Sequence, residues 1–213
     1  MIFMRMLERR LRLSLGWECN VIRHCWALRL VLCAGLTLAL SAVGCTDYSR
    51  ANANIAFMGD SITAHWYLPR SNLGIPGNTT TDMVARFPAE VPGHGYKAIV
   101  ILGGTNDVRI KSQPIEDEVG IAIGNLTKMA EQSKALNLSV VLCSIPPIQG
   151  EEARSETLNA EIKKLAEANH YGFVDYYTPM AGHPEYFVDM LHPNAEGYAV
   201  MQEALTQVIP LDY

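Results

Sequence analysis

Cysteine is too scarce to staple this chain. Of five cysteines, Cys19, Cys25 and Cys33 fall in the first 44 residues, which leaves only Cys45 and Cys143 beyond them. No intramolecular disulfide framework follows from that count. Cys143 lies inside an apolar run, LSVVLCSI, and reads as a small buried hydrophobe rather than a reactive thiol. Positive charge is also scarce in the body. Arg5, Arg9, Arg10, Arg12, Arg23 and Arg29, six of the 17 Lys+Arg, precede residue 45 with only Glu8 and Glu18 of the 22 Asp+Glu, so 11 basic and 20 acidic residues remain. A body this acidic has no electrostatic footprint for nucleic acid or anionic lipid. P-loop and dinucleotide glycine patterns are absent, as is a G-x-S-x-G elbow. His94, His170 and His183 fit no metal-ligand spacing, and they read as surface or loop histidines. Internal repeats and low-complexity segments are missing too.

The first 44 residues read as an export signal. Arginines precede an uncharged apolar run, residues 30–44 (LVLCAGLTLALSAVG), that ends in small residues before Cys45. A spanning helix needs roughly 20 apolar residues, and Arg29 cuts this run short of that. Ala42-Val43-Gly44-Cys45 resembles a bacterial lipoprotein signal, in which the cysteine is lipidated and becomes the mature N-terminus. Ordinary secretion and an uncleaved anchor are the alternatives. The expected organisation is a signal peptide over 1–44, a short tether over 45–54 and one globular domain over 55–213. Thr46 rather than Asp follows the cysteine, which in enteric-type sorting implies the outer membrane. The expected location is therefore the cell envelope, outer-membrane or periplasmic, with membrane contact only through the lipid on Cys45.

Beyond residue 54 short apolar runs alternate with longer amphipathic ones. Residues 55–58, 97–102, 138–145 and 171–174 are strand candidates, and 71–75 is a weaker one. Helical periodicity marks 116–136, 155–169 and 195–208, and a fourth stretch, 80–91, contains Pro88, which is expected to kink or split it. Such alternation implies right-handed crossovers and a mostly parallel sheet of five strands covered on both faces, an α/β fold.

In such a sheet, function sits at the carboxyl ends of the strands. Polar residues follow the apolar runs at Gly59-Asp60-Ser61, at Gly74-Ile75-Pro76-Gly77-Asn78, at Gly103-Gly104-Thr105-Asn106-Asp107 and, near the end, at Asp189-Met190-Leu191-His192-Pro193-Asn194. Serine is a weak nucleophile until a base takes its proton, and that base needs a third group to fix its tautomer. Ser61, His192 and Asp189 suit these roles, since an i, i+3 spacing lets Asp189 reach one nitrogen of His192 and leaves the other free. Backbone N–H groups of Ser61 and Gly77, with the Asn106 amide, are suitable donors for an oxyanion. His65, Trp66 and Tyr67 either line a pocket or cover the outer face of the helix after Ser61.

These four blocks resemble those of the SGNH hydrolases, also called GDSL esterases or lipases. Phe57-Met58-Gly59-Asp60-Ser61-Ile62-Thr63 is similar to the nucleophile block and Asn72-Leu73-Gly74-Ile75-Pro76-Gly77 to the glycine block. Gly103-Gly104-Thr105-Asn106-Asp107 resembles the asparagine block, and Asp189-Met190-Leu191-His192-Pro193 resembles the aspartate-histidine block. The resemblance spans residues 55–208 and makes Ser61, Gly77, Asn106 and His192 the name-giving residues, with Asp189 completing a triad. It implies a flavodoxin-like three-layer α/β/α sandwich and serine esterase chemistry with no metal or organic cofactor. The implied substrate is a small-molecule, glycan or lipid ester: short acyl, aryl, lysophospholipid or O-acetyl glycan. A surface lipoprotein that binds glycan or lipid through an inactive triad is the alternative. No long insertion interrupts the blocks, so an open site is expected, walled by residues 148–154 and 179–188.

Overall fold

The computed structural model describes residues 54–67, 71–110 and 113–209, all within the unit Cys45–Tyr213. The signal peptide expected over 1–44, the expected lipidation site Cys45 and all but the last residue of the expected tether lie outside the described residues.

Five strands form one sheet: β1 (Ile55–Gly59), β2 (Asn72–Gly74), β3 (Ala98–Leu102), β4 (Ser139–Cys143) and β5 (Gly172–Val174). Their order is β2-β1-β3-β4-β5 and every pairing is parallel. β1 and β3 are buried at every position, which is why they read as unbroken apolar runs rather than as alternating ones. Register places Gly59 opposite both Gly74 and Leu102, so β1, β2 and β3 end level at one edge.

Seven α-helices connect or follow the strands among the described residues: α1 (Ser61–His65), α2 (Thr80–Glu90), α3 (Thr105–Arg109), α4 (Ile115–Ala135), α5 (Glu152–Asn169), α6 (Tyr177–Met180) and α7 (Ala195–Thr206). The crossover from β1 to β2 runs opposite to the three that follow. With right-handed connections, α1 must then cover one face while α2, α4 and α5 cover the other. Contacts agree: α2 packs on α4 and α4 on α5, whereas α6 meets α7, and the Tyr198 hydroxyl of α7 donates to the Ile62 carbonyl of α1 at 2.8 Å. The result is a three-layer α/β/α sandwich with the flavodoxin-like strand order.

Pro88 does not split α2. It sits in the last turn of a helix that ends two residues later, at Glu90, so the missing backbone donor leaves little helix to disrupt. At the other end, Thr79 and Asp82 form a capping box that fixes where α2 starts.

Because the chain moves from β1 to β2 and then returns past β1 to β3, the strand order reverses between β1 and β3. Outside the carboxyl ends of strands at such a point is where this architecture places ligands.

Candidate active site

Ser61 is the first residue of α1, immediately beyond the end of β1. The preceding Asp60 makes the turn: its Oδ1 accepts from the Ile62 N–H at 2.9 Å and caps the helix. Asp60 is fully buried and its Oδ2 has no hydrogen-bond partner among the described residues. Burial pushes its carboxyl up to about 6, opposed by the Ile62 N–H, the adjacent Thr105 hydroxyl and His192, all of which favour the charged form.

His192 reaches Ser61 from the far end of the chain. Its Nε2 lies 3.0 Å from Ser61 Oγ and its Nδ1 lies 2.8 Å from Asp189 Oδ2. An imidazole protonated on Nδ1 donates to that carboxylate and leaves Nε2 free to accept the serine O–H. Asp189 also builds the turn, because its Oδ1 accepts from the N–H groups of Leu191 and His192, both at 2.7 Å. The His192 contacts and these amides hold its carboxyl down at about 2, so it stays ionised through the neutral range. Outside the turn, the Val188 N–H donates to the His192 carbonyl at 2.9 Å, and the Gln149 N–H donates to the Met190 carbonyl at 3.0 Å.

Three candidate donors lie at these strand ends. The N–H groups of Ser61 and Gly77 have no partner among the described residues, and Gly77 holds φ +80, a conformation that glycine tolerates without strain. Asn106, in the first turn of α3, donates from Nδ2 to the Asn78 carbonyl at 2.9 Å. That bond ties the β3 loop to the β2 loop and leaves the second amide hydrogen free. Gly74 lets β2 press against α1: a Cβ there would lie 2.2 Å from the Ala64 nitrogen. The structure thus brings Ser61, His192, Asp189, Gly77 and Asn106 to one edge.

Buried acceptors behind the site escaped sequence reasoning. Asp107 is buried and accepts from the Thr80 N–H at 2.9 Å and from its hydroxyl, pinning the start of α2 to the β3 loop. Burial raises its carboxyl and the Thr80 bonds oppose that rise. Arg86, on α2, donates to Gly59, Leu73 and Asn78. Its spacing from Asp82 and Glu90 looks like an ordinary surface ion-pair ladder, so nothing local marks it. Asn72 donates to the carbonyls of Thr63 (2.7 Å) and Trp66 (3.0 Å) and so closes the end of α1.

The flanks differ in part from expectation. Trp66 neither lines a pocket nor covers an outer face; it is buried, stacked on Tyr198 with ring centroids 5.8 Å apart and set edge-on to Phe57. His65 is exposed beside His192, with centroids 5.5 Å apart, and Tyr67 is exposed. His94, His170 and His183 are all exposed. The segments expected as walls do face one another: Gln149, Gly150 and Glu152 line a cavity of about 320 Å³ with Met180, His183 and Phe187. A larger cavity, about 380 Å³, opens among Ala98, Ser139 and Gly172, the first residues of β3, β4 and β5, and so lies at the opposite edge from this chemistry. Cys143 is buried and its thiol is pushed up to about 12 by burial, consistent with an inert core residue.

Known structures share this arrangement of elements. A GDSL-like lipase from Bacteroides thetaiotaomicron is 30% identical, with 74% of this chain and 88% of that one covered at a TM-score of 0.64. A member of the lipolytic protein G-D-S-L family from Veillonella parvula is 20% identical over 73% and 97% of the two chains, with a TM-score of 0.62. An acetylxylan esterase from Geobacillus stearothermophilus is 20% identical over 72% and 92%, with a TM-score of 0.61. At 20% identity the last two speak for the fold alone. No curated protein sequence matches the chain. The GDSL-like lipase/acylhydrolase family matches residues 42–200, most of the sequence, and the chain belongs to that family, whose members are hydrolases acting on ester bonds.

Proposed function

We propose that this protein hydrolyses carboxylic esters through an acyl-enzyme on Ser61. As Ser61 Oγ attacks the carbonyl carbon, His192 Nε2 takes the hydroxyl proton, and the oxyanion that forms is held by the N–H groups of Ser61 and Gly77 and by the Asn106 amide. The carbonyl re-forms, the bond to the alcohol breaks, and His192 passes its proton to the departing oxygen. A water then gives a proton to the same nitrogen and attacks the acyl carbon, releasing the acid and restoring Ser61. Asp189 stays ionised throughout and stabilises the imidazolium.

The observation that carries this reading is the unbroken line Ser61 Oγ, His192 Nε2, His192 Nδ1 and Asp189 Oδ2, with gaps of 3.0 and 2.8 Å. Substrates are accessible esters with short acyl or aryl groups, lysophospholipids or O-acetylated glycans. The modest cavity between residues 147–152 and 180–187, near the lower end of the size range for ligand pockets and tied to the Asp189–His192 turn by the bond from Gln149 N–H to the Met190 carbonyl, is the proposed seat of a small group of the substrate. The cell envelope is the proposed location, with Cys45 as a lipid-bearing N-terminus.

Ser61→Ala tests the assignment on p-nitrophenyl acetate and on a panel of acyl lengths and acetylated glycans. Loss of a triad nucleophile typically lowers kcat by about 10⁴ to 10⁶. A folded Ser61→Ala enzyme with near wild-type turnover would refute it.

A further inference from the structure

Arg86 lies on α2, remote in sequence from Ser61, Asp189 and His192, yet its guanidinium reaches the ends of two strands and the turn beyond them. Nη2 donates to the carbonyls of Gly59 (2.9 Å) and Leu73 (2.7 Å), and Nε donates to Asn78 Oδ1 (2.8 Å). Nη1 pairs with Glu90 one turn along the helix. With 13% of its side chain exposed, this is a largely buried cation whose donors are committed to backbone and amide oxygens.

We propose that Arg86 is a positioning residue for the oxyanion donors, acting through Asn78. The inference rests on the roles assigned above to Ser61, Gly77 and Asn106. Donors stabilise a developing oxyanion only if they are in place before the charge appears. Packing does not hold the Gly77 turn, since a Cβ on Gly77 would meet nothing within 4 Å and Ile75 is exposed. Hydrogen bonds to Asn78 hold it instead. Asn106 Nδ2 takes the Asn78 carbonyl, Arg86 Nε takes the Asn78 side chain, and the Asn78 N–H donates to the Ile75 carbonyl at 3.2 Å. Arg86 is the one side chain among these groups that also grips Gly59, two residues before the nucleophile, where the Ile75 N–H donates to the same carbonyl at 3.1 Å. It therefore sets the separation of the Ser61 N–H from the Gly77 N–H, and through the Asn78 carbonyl it sets the seat of the Asn106 amide. A planar guanidinium spans several fixed acceptors at once, whereas an ammonium on a flexible stem does not.

The test is a double-mutant cycle on p-nitrophenyl acetate, assayed well below the melting temperature of each variant. Arg86→Lys keeps the charge and loses the fork. It should lower kcat by about 10- to 100-fold, the scale of a small misplacement of catalytic groups, with KM little changed. Combined with Asn106→Ala, its effect should be much smaller than in the wild-type background, because both changes disable the same donor set. A folded Arg86→Lys enzyme with wild-type kcat overturns the proposal, and so does a loss that multiplies fully with that of Asn106→Ala. Should Arg86→Lys fail to fold, Asn78→Ala removes only the side-chain anchor, and an unchanged kcat in that variant overturns the proposal equally. Wild-type turnover in Asn106→Ala alone would instead strike the oxyanion reading itself, and this proposal with it.

Discussion

Replacing Asp60 by Asn should make the protein more stable in alkali and slower. Asp60 is fully buried, and burial moves its carboxyl from an ordinary 3.8 to about 6. Two pKa units at about 1.4 kcal/mol each mean that keeping this group ionised costs the fold about 3 kcal/mol. The sign follows from which state loses its proton first. Below pH ~3.8 the carboxyl is protonated folded and unfolded, and there is no penalty. Between about 4 and 6 the unfolded chain releases the proton while the folded chain still holds it, so stability falls as pH rises. Above about 6 the penalty is complete. An Asn side chain keeps the Oδ1 that accepts from Ile62, and its new amide donor lies beside the hydroxyl of Thr105, which has no partner of its own. Any change in those neutral contacts is the same at every pH. Urea unfolding of wild type and Asp60→Asn at pH 4 and pH 8 isolates the charge: the variant's advantage should be larger at pH 8 by about 2 to 3 kcal/mol. A stability difference that does not change with pH would refute the argument. Activity should move the other way, because the imidazolium formed on His192 during attack loses the nearby Asp60 charge and keeps only that of Asp189.

Two further outcomes follow from the geometry. Asp189→Asn should lower kcat by about 10⁴, the usual result of fixing the wrong imidazole tautomer. In the parent enzyme Asp189 is ionised down to about pH 2, so kcat/KM should rise with pH through ionisation of groups other than Asp189; an unchanged rate and profile in Asp189→Asn would show that its turn is only structural. Mass spectrometry of the mature N-terminus should find a diacylglyceryl-modified Cys45, and an unmodified terminus elsewhere would refute lipidation.

Much of the fold was legible because β1, β3 and most of β4 are buried on both faces and need no alternation to be seen. β3 was expected over 97–102 and occupies Ala98–Leu102. β4 stops at Cys143 rather than 145 because its pairing with β3 ends at Leu142 and with β5 at Cys143, and Ile145 N donates instead to Asn159 Oδ1 of α5. α5 starts at Glu152, a turn earlier than Ser155 suggested. Ser155 lies inside the helix, and its hydroxyl accepts from the Ile148 N–H and holds the preceding loop. Trp66 was ambiguous for a different reason: its partner Tyr198 comes from α7, and no local pattern announces so distant a neighbour.

The same contrast divides the site. Asp60 capping Ile62, and Asp189 closing on Leu191 and His192, are bonds across two or three residues, so their geometry is written into short motifs. The support behind the oxyanion donors is not local in this way. Arg86 binds oxygens 8, 13 and 27 residues away, and Asp107 binds Thr80 across 27. Each contact exists only because β1, β2 and β3 end level and α2 begins beside them, which is a property of the assembled sheet. A motif of short range can therefore name the groups that would touch substrate, while the residues that set their spacing emerge only when the strand ends are seen side by side. For this chain the separation has a measurable consequence. Substitutions within the motifs should change the chemistry by removing a reacting group, whereas Arg86→Lys leaves every reacting group present and should still slow turnover.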